Sequence, residues 1–136
     1  MEVRATIETQ TAGLAAERAT DAEVDGIRMA SLQMAAARGA HQAALADIAF
    51  HQAIAHASGN EFFVMMLDSI RGALVQAQSP GLADKNTVAY VREAHAAILE
   101  AIERRDSEAA RAAMRGHIDE SARRLQPLHV QEAREE

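Results

Sequence analysis

The sequence predicts an all-α protein, a bundle of about six helices. Hydrophobic residues make up 49% of the chain and many of them are alanine, whereas aromatic residues make up only 3% and proline occurs twice. Because alanine favours helices and aromatic residues favour strands, this composition favours close-packed helices over a sheet. The length of 136 residues suits one core, so we expect residues 1–136 to form a single domain.

Apolar spacing and capping residues place the first three helices. The first runs from about residue 2 to residue 18, with apolar positions three or four residues apart. Thr20 or Asp21 suits the N-cap of the second helix, and Gly39 suits its end. The third helix is expected over about residues 42–57.

Turn residues separate the remaining three helices. Asn60 suits the N-cap of the fourth, which should stop before the turn at residues 79–81. Thr87 is the expected cap of the fifth helix. The sixth should begin near Ser107 and end at Pro127. We expect the methionines to fill the core: Met65, Met66 and Met114.

Charge and cysteine content exclude several classes of protein. The formal net charge is -6, and acidic and basic residues are interspersed without a basic stripe. This argues against nucleic acid and against an anionic membrane surface as partners of this chain. Cysteine is absent, so disulfides and thiolate metal sites are excluded. The chain shows neither a signal peptide nor an apolar run of the roughly 20 residues that span a bilayer, and we expect a cytoplasmic protein.

Four residues of metal-binding types fall on the apolar stripes of three helices: Asp47, His51, His95 and His117. Burying an unpaired polar group costs about 2–7 kcal/mol, so these side chains need partners. A shared divalent metal would satisfy all four, although separate hydrogen-bonded histidines and an i,i+4 pair are the alternatives. The remaining histidines are expected to face solvent: His41, His56 and His129.

The spacing of the four residues supports one common site. Asp47 and His51 are four apart, which places them on one helix face. His95 precedes the turn at residues 105–106 by ten residues and His117 follows it by eleven, so antiparallel packing would bring them to the same height.

Three imidazoles and one carboxylate suit a divalent transition metal such as Zn, Ni, Co, Mn or Fe(II), with Zn or Ni as first candidates, but not Ca or Mg. Four protein ligands either complete a tetrahedral site, or leave two adjacent positions of an octahedral site open for a small carboxylate. Arg4, on the stripe of the first helix, either pairs with Glu8 or holds the carboxylate of such a ligand.

Three segments resemble the FCD domain, the effector-binding C-terminal domain of FadR-type GntR transcription regulators. They are the opening Glu2-Val3-Arg4 with Leu14 to Thr20, the central Asp47-x-x-Phe50-His51 with Ala57 to Asn60, and the closing His95 to Ile98 with Met114 and His117. The chain departs from the family pattern at Arg105, where Gly is usual, and at Ala94, where Glu is frequent. The family's winged helix-turn-helix is not in this chain.

The resemblance implies an antiparallel bundle with a central cavity. It implies a metal held by the residues matching Asp47, His51, His95 and His117, a small organic acid beside it, and Arg4 near the acid's carboxylate. It further implies a sensor module that acts as a dimer and reaches DNA only through another domain. We expect no enzyme activity; the alternatives are a free-standing metal-dependent enzyme acting on a small carboxylate, and a purely structural metal site.

Overall fold

The computed structural model describes the backbone of residues 2–135 and the side chains of residues 2–124. This part of the chain forms six α-helices, which confirms the predicted all-α class. A 3₁₀ turn, Gly81–Ala83, lies between the fourth and fifth helices. The helices are α1 (Glu2–Arg18), α2 (Asp21–Ala36), α3 (Gly39–Ala57), α4 (Glu61–Gln78), α5 (Lys85–Glu103) and α6 (Ser107–Glu135).

Two of the expected caps start helices as predicted. The Thr20 hydroxyl accepts from the backbone N–H of Glu23 at 3.1 Å, and the Glu23 carboxylate accepts from the Thr20 N–H at 3.0 Å. Asn60 Oδ1 accepts from the Phe62 N–H at 3.0 Å. Each bond satisfies a backbone donor that has no partner inside its helix.

Three predicted boundaries are wrong. Gly39 begins α3 with a φ of 81°, whereas α2 already ends at Ala36. Asp84 rather than Thr87 caps α5, because its side chain accepts from the Asn86 N–H at 3.0 Å. Pro127 does not end α6, since proline removes one backbone donor but keeps a helical φ.

The turn between α5 and α6 explains why glycine is usual at position 105. Arg105 has a φ of 60°, the left-handed region that favours glycine. Its guanidinium reaches back to the start of α2, where it donates to the Ala19 carbonyl and lies 3.3 Å from Asp21 Oδ1. These contacts offset the backbone cost and join the turn to α2.

The core lies where α1, α3, α5 and α6 meet. α1 packs against α6, α3 and α5, α2 packs against α3 and α5, and α5 packs against α6. Buried alanines on α1 let its neighbours approach closely. The largest fully buried apolar side chains come from four helices: Ile27, Met34, Phe50, Ile54, Ile98, Ile102, Met114 and Ile118.

α4 packs mainly against α3, so it buries only a narrow strip that includes Val64, Leu67 and Val75. Met65 and Met66 are 64% and 42% exposed, so their prediction as core residues is wrong, whereas Met114 is buried as predicted. A helix with one neighbour cannot bury a wide stripe. We call the exposed apolar surface of this helix the α4 face: Phe62, Met65, Met66 and Ile70.

None of the helices within residues 2–135 is long and apolar enough to cross a lipid bilayer.

Candidate metal centre

The four predicted ligand residues lie together inside the bundle. Asp47 and His51 project from α3, His95 from α5 and His117 from α6. All four side chains are buried, and one ligand atom of each lies within 4.8 Å of the other three. The antiparallel pairing of α5 with α6 therefore brings the two distant histidines to one height, as their similar separation from the turn predicts.

The ligand atoms have the spacing that one metal ion needs. Asp47 Oδ1 lies 2.8 Å from His95 Nε2, 3.3 Å from His51 Nε2 and 4.0 Å from His117 Nε2. The Nε2 atoms of His51 and His117 are 3.2 Å apart. Atoms bound to one ion at about 2.1 Å would be roughly 3–3.5 Å apart in adjacent positions and about 4.2 Å apart in opposite positions of an octahedron, so small shifts of these side chains would suit a shared cation.

The chemistry of the donor set also fits a metal. Three Nε2 atoms and one carboxylate oxygen converge, a combination suited to divalent transition metals. Nδ1 of His95 is fully buried without a hydrogen-bond partner, so the Asp47 contact to Nε2 leaves this imidazole incompletely satisfied.

Two of the histidines are held neutral. Burial lowers the pKa of His95 despite the nearby Asp47 carboxylate. Burial, together with the positive charge of His51, lowers the pKa of His117 well below its usual value. Both side chains therefore carry a free lone pair at pH 7, the form that binds a metal.

His51 is held as a cation. Burial alone would lower the pKa of this imidazole, but the charges of Glu8 and Asp47 outweigh burial and raise it to about 9. Burial would raise the pKa of Asp47, but His51 and His95 hold it well below its usual value. The proton on His51 is therefore the one that a metal at Nε2 would replace.

Comparison with known proteins identifies the family. The chain matches the FCD domain over residues 1–120. It belongs to the FCD family. One relative of this FCD domain is the HTH-type transcriptional regulator LutR of Bacillus subtilis (strain 168), which is 30% identical over 124 residues. The alignment covers 87% of this chain but 57% of LutR, so the chain spans a little over half the length of that relative.

Behind His51, this FCD domain has a buried carboxylate, Glu8, which the sequence predicts only as a possible partner of Arg4. Glu8 on α1 contacts both Nδ1 of His51 and Nε of Arg4. Burial would raise the pKa of Glu8, but His51 and Arg4 lower it to about 2. An ionised Glu8 in contact with Nδ1 of His51 leaves Nε2 of that ring facing the other candidate ligands.

Arg4 is connected to the centre through one glutamine. Its side chain is buried and pairs with Glu8 at i,i+4, which was one of the two predicted roles. With the Gln78 amide oriented to satisfy its neighbours, the oxygen of Gln78 accepts from Arg4 Nη1 at 2.6 Å and its nitrogen donates to Asp47 Oδ2 at 2.7 Å. No sequence signal indicates Gln78, because only the packing of α4 on α3 brings it to Asp47.

Two further contacts orient the imidazoles of His95 and His117. The His95 ring stacks on Phe50, with centroids 3.9 Å apart and planes at 12°. Ser121 Oγ lies 3.5 Å from Nδ1 of His117, one turn along α6. The remaining described histidines, His41 and His56, are exposed as predicted, and the side chain of His129 lies outside the described residues.

A small cavity of about 30 Å³ adjoins Asp47. That is about the volume of one water molecule. A small organic acid needs more space, so its entry requires part of the wall to move. Six residues of the wall are Asp47, Gln78, Leu82, Val91, Ser121 and Arg124.

Proposed function

We propose that this FCD domain senses a small organic acid at a buried divalent metal, as the effector domain of a bacterial transcription regulator. The observation that carries the proposal is the convergence of Asp47, His51, His95 and His117 within 4.8 Å, beside a cavity. The LutR relative, named as a transcriptional regulator, supports the regulatory role. A regulator acting on chromosomal DNA would work in the cytoplasm.

The proposed metal is Zn or Ni, held by Asp47, His51, His95 and His117. When bound, such an ion attracts carboxylate and hydroxyl oxygens as a Lewis acid. We also propose Arg4 as an effector-binding residue. Gln78 lines the cavity and accepts a hydrogen bond from Arg4, so only this one residue separates the guanidinium from the cavity. That charge adds to the attraction for an anion, even while Glu8 holds the guanidinium.

The position of the ligands suggests how binding could reach another domain. The four residues come from α3, α5 and α6, and Glu8 adds α1. An effector that binds the metal and enlarges the cavity must shift these helices relative to one another. The shift changes DNA binding only if the effector binds the two helix arrangements with different affinity.

We propose that a part of the regulator other than this FCD domain contacts DNA. The net charge of -6 and the lack of a basic stripe give no surface for phosphates.

We further propose a homodimer that pairs through the α4 face. Its four large apolar side chains are 37–75% exposed on one helix, an arrangement typical of protein interfaces. A regulator that reads paired half-sites also needs two-fold symmetry.

The enzyme alternative has less support. A metal-dependent hydrolysis or proton transfer also needs a positioned acid or base. Glu8 is a buried carboxylate outside the proposed ligand set, but it already pairs with His51 and Arg4.

Purified protein tests the proposal directly. We expect about one equivalent of metal per chain by elemental analysis, and a chelator-sensitive rise in melting temperature with at least one small organic acid. Metal without any acid response would favour the structural-site alternative, and turnover of an acid would favour the enzyme.

A further inference from the structure

Arg124, the last described side chain of α6, lies on the wall of the same cavity as the metal-ligand candidate Asp47. Asp47 is 4% exposed as a residue, whereas the Arg124 side chain is 31% exposed. The cavity therefore extends from the buried centre toward the surface, with a carboxylate that could hold a metal at one side and a guanidinium at the other.

The contacts of Arg124 are weaker than those of Arg4. Its guanidinium carbon lies 4.5 Å from the centre of the Tyr90 ring, and Nη1 donates to the Thr87 hydroxyl at 3.3 Å. Nε lies 3.3 Å from a Glu120 oxygen but has no aligned hydrogen bond. Arg4, by contrast, is buried between Glu8 and Gln78. Arg124 is the arginine that can change partners at lower cost.

The remaining wall is suited to an oxygen-rich chain. Thr87 and Ser121 bring hydroxyls to the cavity, whereas Leu82 and Val91 give it apolar sides. An acid with one carboxylate would be satisfied at the metal and would leave Arg124 unused. An acid with a second carboxylate would place that group at the guanidinium, where a bidentate pair can form.

We propose that Arg124 is a second effector-binding residue and that it selects acids with two carboxylates over those with one. The inference rests on the proposed function. The cavity has room for about one water, so part of its wall must move before an acid can enter. In this proposal Arg124 moves away from Tyr90 and Thr87 to admit the acid, and its guanidinium then pairs with the second carboxylate. Arg124 is also the point where the effector would pull on α6.

Two acids that differ in one group test the selection. Malate and 2-hydroxybutyrate share the α-hydroxycarboxylate that can chelate a metal, but a methyl group replaces the distal carboxylate in the second. With zinc-loaded wild-type protein, calorimetry should give malate the tighter dissociation constant. The difference should be about 10- to 100-fold, the size expected of a charge-assisted hydrogen bond.

Two variants assign that difference to Arg124. In Arg124→Gln, malate should lose about 10- to 100-fold in affinity while 2-hydroxybutyrate binds as before, and Arg124→Lys should restore part of the preference. Arg123→Gln is the matched control, because Arg123 also pairs with Glu120 but its side chain is 66% exposed. It should bind both acids as wild type does.

Different results would overturn different statements. If wild type binds both acids equally, or if Arg124→Gln weakens both alike, the role of Arg124 is refuted while acid sensing at the metal stands. If zinc-loaded wild type binds neither of these acids nor any other small carboxylate, the proposed function fails and this inference fails with it.

Discussion

The carboxylate of Glu8 on α1 contacts Nδ1 of His51 on α3, on the side of the ring opposite to the other ligand candidates. Because the same carboxylate pairs with Arg4, one buried acid connects a candidate ligand to a buried cation. If a metal replaces the Nε2 proton, this arrangement would keep the other proton on Nδ1 and make the ring a stronger ligand.

Replacement of Glu8 should weaken metal binding without removing a ligand. We expect Glu8→Gln to lower zinc affinity about 10- to 100-fold, the usual effect of losing a partner behind a ligand histidine. Competition with a chromogenic chelator measures this. Glu2→Gln, an exposed change on the same helix, is the control. Unchanged zinc affinity in Glu8→Gln would show that Glu8 serves only Arg4.

Removal of a ligand should have a larger effect. His117→Ala should lose stoichiometric zinc and, with it, the part of the melting temperature that a chelator removes from wild type. His56→Ala on α3 is a matched control, because that imidazole is exposed. Full zinc content in His117→Ala would refute the four-residue site.

Metal binding should release a proton from His51. The pKa of this residue rises from its ordinary 6.5 to about 9, so without metal the protonated ring stabilises the fold below pH 6.5 and loses that contribution as the pH rises through about 9. Metal affinity should change with pH in the opposite direction, because the metal must displace the His51 proton. The affinity should increase from pH 6.5 to 9 by up to about tenfold per pH unit.

Calorimetry in two buffers of different ionisation enthalpy counts that proton. Zinc binding at pH 7.5 should release about one, since His95 and His117 are already neutral. A count of zero would mean that His51 is neutral before the metal binds.

The α4 face should control oligomeric state. Phe62 is 75% exposed, so Phe62→Glu should leave folding intact while introducing charge into the proposed interface. Light scattering after size exclusion should report a dimer for wild type and a monomer for the variant. Ala96→Glu, at an exposed position of α5, should stay dimeric. A wild-type monomer at all concentrations would exclude this dimer.

Local features of the chain predict the helices and the grouping of the ligands. Spacing of three and four residues determines which side chains share a helix face, and the turn at residues 105–106 determines that His95 meets His117. The shared helix faces and the pairing of the two histidines depend only on helix geometry and connection length, which can be worked out without knowing the rest of the fold. The resemblance to the FCD domain is confirmed by the family match over residues 1–120.

Only the tertiary structure shows which helices that are distant in the sequence pack against each other. α1 packs on α3, which brings Glu8 to His51, and α4 packs on α3, which brings Gln78 to Asp47 and leaves Met65 and Met66 exposed. An amphipathic pattern indicates that a helix has a buried face, but it does not specify which helix covers that face or how widely. The partners behind the ligands depend on that choice, so only the folded chain determines them.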